Sequence, residues 1–112
     1  MSEIEQIYTA LTSFRDQRNW KQFHNAKDLA LALSIEAAEL NELFLWKSKD
    51  EINNVDAEKV GEELADILAF AFLIAEKYNF DIKEIMLNKI QKNAIKYPVE
   101  KSKDKANKYT DL

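Results

Sequence analysis

The sequence contains no cysteine, one glycine (Gly61), one proline (Pro98) and one histidine (His24). Without thiols it can build no disulfide, thiolate metal centre or cysteine nucleophile, and nothing opposes a reducing compartment. With so little glycine, tight hairpins and glycine-rich phosphate loops are nearly excluded, whereas long helices meet few breakers. Any metal must be held by oxygen or by His24. Positive charge is not in excess either: the formal net charge of −4 argues against a general grip on a nucleic-acid polymer. No apolar stretch approaches the ~20 residues of a bilayer span. The opening MSEIEQIY lacks the basic region and apolar run of a secretory leader. The expectation is a soluble, cytoplasmic protein without membrane association.

What is present is 112 residues, 46% of them hydrophobic, enough for one domain with a real core but not for two. The composition predicts an all-α fold with four main helices. Ile4, Ile7, Tyr8, Leu11 and Phe14 recur at three- and four-residue steps, which predicts a first helix over residues 3–16. The segment DQRNWKQFHNAKD has no helical period and reads as a structured loop, with Asn25 placed to cap the next helix. That second helix is predicted over 26–46, with Leu29, Leu33, Ala37, Leu40 and Phe44 on one stripe.

After the polar connector KSKDEINNVDA, a third helix is predicted over 56–78. Its segment Ile67 to Ala75 is apolar all round, which calls for burial on every side, by the domain or by a second subunit. Asn79 can end it, and DIKE places an acid at an N-cap with Glu84 three residues on. The fourth helix should end near Lys96, because the residue before Pro98 is biased out of helical geometry. Residues 1–98 thus read as the domain. Residues 99–112 read as a charged, lysine-rich tail, unstructured by itself.

The stretch SIEAAELNELFLW sets carboxylates against an apolar face. At about 100° per residue, Glu36 falls between Leu33 and Leu40, and Glu39 lies roughly 60° away. GEELADILAF repeats the device with Glu63 and Asp66. Glu62 leaves a choice of register, but only Glu63 makes the three-residue step to Asp66. If the two helices pack against each other, four carboxylates cluster, and such a cluster needs divalent cations. Hard oxygen ligands without thiolate favour magnesium or manganese. The alternative is that these acids are solvated edge residues. A di-iron bundle is excluded, since it requires Glu-x-x-His on two helices. On the fourth helix, Lys89, Asn93 and Lys96, with Tyr97 adjacent, continue an apolar stripe and suit phosphate oxygens and a sugar or base edge; lysines that merely reach past the core to water are the other reading.

Taken together, WKQFH (20–24), SIEAAELNELFLW, EELAD (62–66) and KIQKNAIKYP (89–98) resemble the MazG-like, all-α nucleoside triphosphate pyrophosphohydrolases, in particular the short branch that includes the dCTP pyrophosphatases. The resemblance spans roughly residues 10–98, with the order of the blocks kept. It implies a helical bundle completed by dimerisation, as a homodimer or homotetramer. It also implies magnesium-dependent cleavage of a (deoxy)nucleoside triphosphate to the monophosphate and pyrophosphate, in a housecleaning role. Glu36, Glu39, Glu63 and Asp66 match the family's magnesium ligands. Trp20, His24 and Trp46 align with residues that shape the nucleotide pocket, and Lys89, Asn93, Lys96 and Tyr97 with those near phosphate, sugar or base. Glu39 is the acid expected to double as the base for the attacking water.

Two positions depart from the pattern. Ile35 stands where longer family members carry a further acid, and Phe70 where the dCTP-selective branch carries a tyrosine. Two rival readings stay open: a non-catalytic helical dimer acting as a regulatory or protein-interaction module, and an enzyme acting on a nucleoside diphosphate or another nucleotide pyrophosphate.

Overall fold

Ser2, Asn25, Ser48, Asp56 and Asp81 each stand one residue before a helix. In the computed structural model, which describes residues 1–112, each side chain accepts a hydrogen bond from a backbone N–H two or three residues on. Such caps satisfy donors that the first turn of a helix leaves without partners, at roughly 1 kcal/mol each. Ser2 completes a reciprocal box: Glu5 N–H donates to Ser2 Oγ at 3.2 Å, and Ser2 N–H donates to Glu5 Oε2 at 2.9 Å.

The chain is all-α. The helices are α1 (Glu3–Gln17), α2 (Ala26–Glu42), α3 (Lys49–Ile52), α4 (Ala57–Lys77), α5 (Ile82–Lys96) and α6 (Val99–Ser102), with 3-10 turns at Lys21–Phe23 and Tyr109–Asp111. The four long helices are those the periodicity predicts. None is long and apolar enough to cross a membrane.

Helix α2 stops four residues before its predicted end. From Leu43 to Leu45 the N–H groups bond to carbonyls three residues back, the tighter 3-10 pattern, and Trp46 then turns left-handed at φ 61°. A bulky residue at positive φ is costly and marks a sharp change of direction. Asn79, at φ 56°, ends α4 as expected. The connector holds a capped turn of helix, α3, and the tail is not featureless: it contains α6 and the C-terminal 3-10 turn.

Two compact units make up the chain, Met1–Tyr78 and Asn79–Leu112. Within the first, α2 packs chiefly on α4. Leu29, Leu73 and Ala75 form the buried core, and Leu29, at 2% exposed, contributes about 1.5–3 kcal/mol. Helix α1 is tied to α4 by the Tyr8 hydroxyl, which donates to the Phe72 carbonyl at 3.0 Å, while the two rings lie 5.3 Å apart. The all-round burial expected of Ile67 to Ala75 is not reached within one chain. Leu68 remains 49% exposed and lines, with Ile7, Leu11 and Phe72, an apolar cavity of about 230 Å³.

Candidate active site

Packing α2 on α4 brings together the acids that the sequence sets against their apolar stripes. Glu36, Glu39 and Glu63 each place a carboxylate oxygen within 4.8 Å of the other two. Glu36 Oε2 and Glu63 Oε2 are buried and have no hydrogen-bond partner. The carboxyl of Glu36 is pushed up from 4.5 to about 7, first by burial, then by its close approach to Glu39 and by the charges of Glu39 and Asp66. Glu63 is raised as well, again by burial first and by Glu39 next. Neighbouring Glu62 is exposed and lies outside this cluster, which takes Glu63.

Buried, unpartnered oxygens from mutually repelling carboxylates want a cation. The donor set is all hard oxygen, with neither thiolate nor imidazole among the three, and it fits a divalent ion of the alkaline-earth type. Asp66 lies outside the triad but near enough for its charge to raise both Glu36 and Glu63.

Beside the acids opens a cavity of about 250 Å³, lined by Glu36 and Asp66 on one side and by Trp20, His24, Arg15 and Phe70 among others. Trp20 is held edge-on against Phe14 at 5.7 Å, with the Arg18 guanidinium 3.7 Å above the Phe14 ring. The structured loop therefore serves as one wall of the cavity. His24 Nδ1 is buried without a partner, and its pKa is lowered from 6.5 by burial first, then by the Arg15 and Lys77 charges. At neutral pH it is an uncharged imidazole with one donor and one acceptor. Phe70 brings a ring but no hydroxyl to the wall, and Ile35 is exposed.

Not every residue singled out from the sequence reaches this place. Trp46 is 91% exposed and does not line the cavity, because the left-handed turn at the end of α2 swings it outward. Lys89, Asn93, Lys96 and Tyr97 belong to the other compact unit, the first three on α5 and Tyr97 at its C-cap.

One residue of the cavity wall escaped the reading of the sequence. Arg15 is only 6% exposed, yet its guanidinium is fully engaged: Nε donates to Asp16 at 2.8 Å and Nη1 to Glu76 at 3.0 Å. The signal was its spacing. Arg15 follows Leu11 by four residues and Tyr8 by seven, on the same stripe of α1.

The MazG-like family profile matches residues 31–112, and the chain belongs to that family. It is 36% identical to the mouse dCTP pyrophosphatase 1, over 97% of this chain and 67% of that protein, and 37% identical to the bovine one, over 97% and 68%. Among solved structures it superposes on a pyrophosphatase from Archaeoglobus fulgidus with a TM-score of 0.82 and 36% identity, covering 88% of this chain and 94% of that one.

Proposed function

We propose that this chain is a magnesium-dependent pyrophosphohydrolase of nucleoside triphosphates, releasing the monophosphate and pyrophosphate. The observation that carries this reading is the convergence of Glu36, Glu39 and Glu63 within 4.8 Å beside an aromatic-walled cavity. Glu36, Glu39, Glu63 and Asp66 would hold the cation. When bound, it supplies charge neutralisation and activation of water.

The chain's own part is positioning and proton transfer. Trp20 offers a flat face for a base, and uncharged His24 offers a donor or acceptor to base or sugar without repelling a cation. Glu39 takes the proton from a water that attacks the α-phosphorus in line. The bond from that phosphorus to the bridging oxygen breaks, and pyrophosphate departs with the electron pair. Lys89, Asn93, Lys96 and Tyr97 are proposed as ligands for phosphate, sugar or base on the chemistry of their side chains, and Trp46 as a further aromatic for the nucleotide. The same reading treats residues 1–98 as the catalytic domain and 99–112 as an accessory tail. The exposed apolar face of α4 is assigned to a second copy of the chain, in a homodimer or homotetramer, and the role is clearance of unwanted deoxynucleotides in the cytoplasm.

The direct experiment is to incubate the protein with each common dNTP and magnesium and to resolve the products by ion exchange. Monophosphate with an equal amount of pyrophosphate is expected. Orthophosphate as the first product, or no turnover across the panel, overturns the reading. Because Phe70 lacks a hydroxyl, the panel is expected to show turnover beyond dCTP alone.

A cation bound only by the folded state stabilises it by mass action. Magnesium at ten times its dissociation constant should add about 1.4 kcal/mol, raising the melting temperature by roughly 6–11 °C. Manganese should act in the same way. The gain should be larger at pH 8 than at pH 5, where Glu36 is protonated and competes with the ion. An unmoved melting curve in both metals would remove the cation from the mechanism.

A further inference from the structure

The lysine-rich tail is the part of the sequence that the proposed mechanism leaves without a task, and its local geometry supplies one. Lys89 and Lys96 are seven residues apart on α5, two turns along the same face. Neither has a carboxylate within ion-pairing distance; the ion pairs of this chain involve Arg15 and Lys27. Lys89 is nonetheless held below the usual lysine range by the Lys96 charge first, then by burial, with Lys92 adding a smaller repulsion. Two long, flexible cations that repel should splay apart into water unless something restrains them.

The restraint comes from the far end of the chain. After α6, Asp104 turns left-handed at φ 66°, and the chain returns so that the 3-10 turn Tyr109–Asp111 sets the Tyr109 ring on α5. Lys96 Nζ lies 4.9 Å from the centre of that ring, and Tyr97 meets the same ring edge-on at 5.9 Å and 80°. A cation within about 6 Å of an aromatic centre is attracted by the ring's negative face. Tyr97 fixes the tilt of the ring, and the ring fixes the cation.

We propose that Tyr109 is a positioning residue: its ring holds the Lys96 ammonium on the face of α5 that Lys89 shares, so that the two cations form a preorganised site for the phosphates of pyrophosphate and of the substrate. This deepens the pyrophosphohydrolase reading and rests on it for the identity of the ligand. Binding an anion relieves the repulsion between the lysines, and holding them together beforehand removes part of the ordering cost. The face of the ring matters here, not its hydroxyl.

The test is isothermal titration of the full chain with inorganic pyrophosphate in magnesium, alongside steady-state kinetics with the best dNTP. Tyr109→Leu should weaken pyrophosphate binding and raise KM by about two- to five-fold, with kcat close to wild type, and Tyr109→Phe should restore both. In a Lys96→Gln background, Tyr109→Leu should have no further effect on pyrophosphate affinity, whereas a merely structural ring would weaken it again. Equal affinity of wild type and Tyr109→Leu, or additive losses in the double variant, would overturn the role of Tyr109 while leaving turnover intact. If no dNTP is hydrolysed yet pyrophosphate binding still falls in Tyr109→Leu and recovers in Tyr109→Phe, the paired-lysine site stands and the enzymatic reading fails. Absence of pyrophosphate binding by the wild type overturns the site itself.

Discussion

Glu36→Gln is expected to lower kcat/KM by about 10³-fold while raising the melting temperature of the metal-free protein. The two signs come from one cause. Glu36 is the most perturbed acid of the cluster, with a buried oxygen that lacks a partner and a carboxyl pushed up to about 7. An amide of the same shape removes a cation ligand, which costs several kcal/mol of transition-state stabilisation. It also removes the charge that folding strips of water beside Glu39 and Asp66.

The pH dependence is set by the direction of the shift. In the unfolded chain this carboxyl titrates near 4.5 and in the folded chain near 7. Its proton therefore favours the folded state fully below pH 4.5, and that contribution is lost as pH rises through 7. In a chelating buffer, wild type and Glu36→Gln should melt close together at pH 5 and diverge at pH 8, with the variant higher. Glu39→Gln should lose activity on a similar scale. Calorimetry with and without magnesium, set beside initial rates, checks both halves; unchanged kcat/KM in either variant would mean that the cluster is ornamental.

The second large effect concerns Arg15. Its side chain is 7% exposed, but those of its partners Glu76 and Asp16 are 33% and 56% exposed and can turn to water. The cost of breaking the pair is therefore asymmetric. Glu76→Met leaves a buried guanidinium with a single, solvent-facing partner and should cost about 2–3 kcal/mol, or roughly 10–20 °C in melting temperature. Arg15→Met removes the buried charge itself and should cost only about 1 kcal/mol. In the Arg15→Met background, Glu76→Met should cost almost nothing. Denaturant melts of the four proteins of this cycle test it, and additive losses would show that the two side chains do not act as a pair. Because the Arg15 charge is one of the groups that hold His24 below its ordinary range, Arg15→Met should also let the imidazole pKa rise, which its NMR titration would report.

The acids were legible from the sequence because helical periodicity is a local property: three-residue steps place Glu36 with Glu39, and Glu63 with Asp66, whatever the helices then pack against. Trp46 was not. Its link to the nucleotide pocket came from the family resemblance, whereas its outward direction here comes from a left-handed backbone at φ 61°, which no residue-level pattern predicts. Arg15 passed unnoticed because a cation on an apolar stripe ordinarily reaches out to water; only the arrival of Glu76 from α4, 61 positions later, keeps it in. The tail had the composition of a disordered segment, yet Tyr97 and Tyr109, twelve residues apart, meet edge-on, with Lys96 against the Tyr109 ring.

What neighbours along the chain can settle was settled by the sequence alone: four long helices, the caps at Asn25 and Asp81, the absence of thiol and glycine-loop chemistry, and two pairs of acids each set against an apolar stripe. Which of these meet depends on packing between distant segments. Burial of α2 on α4 drives three carboxylates to within 4.8 Å, and the desolvation that comes with it changes their proton affinity. Both effects require water to be excluded by residues distant in sequence, which no local pattern encodes.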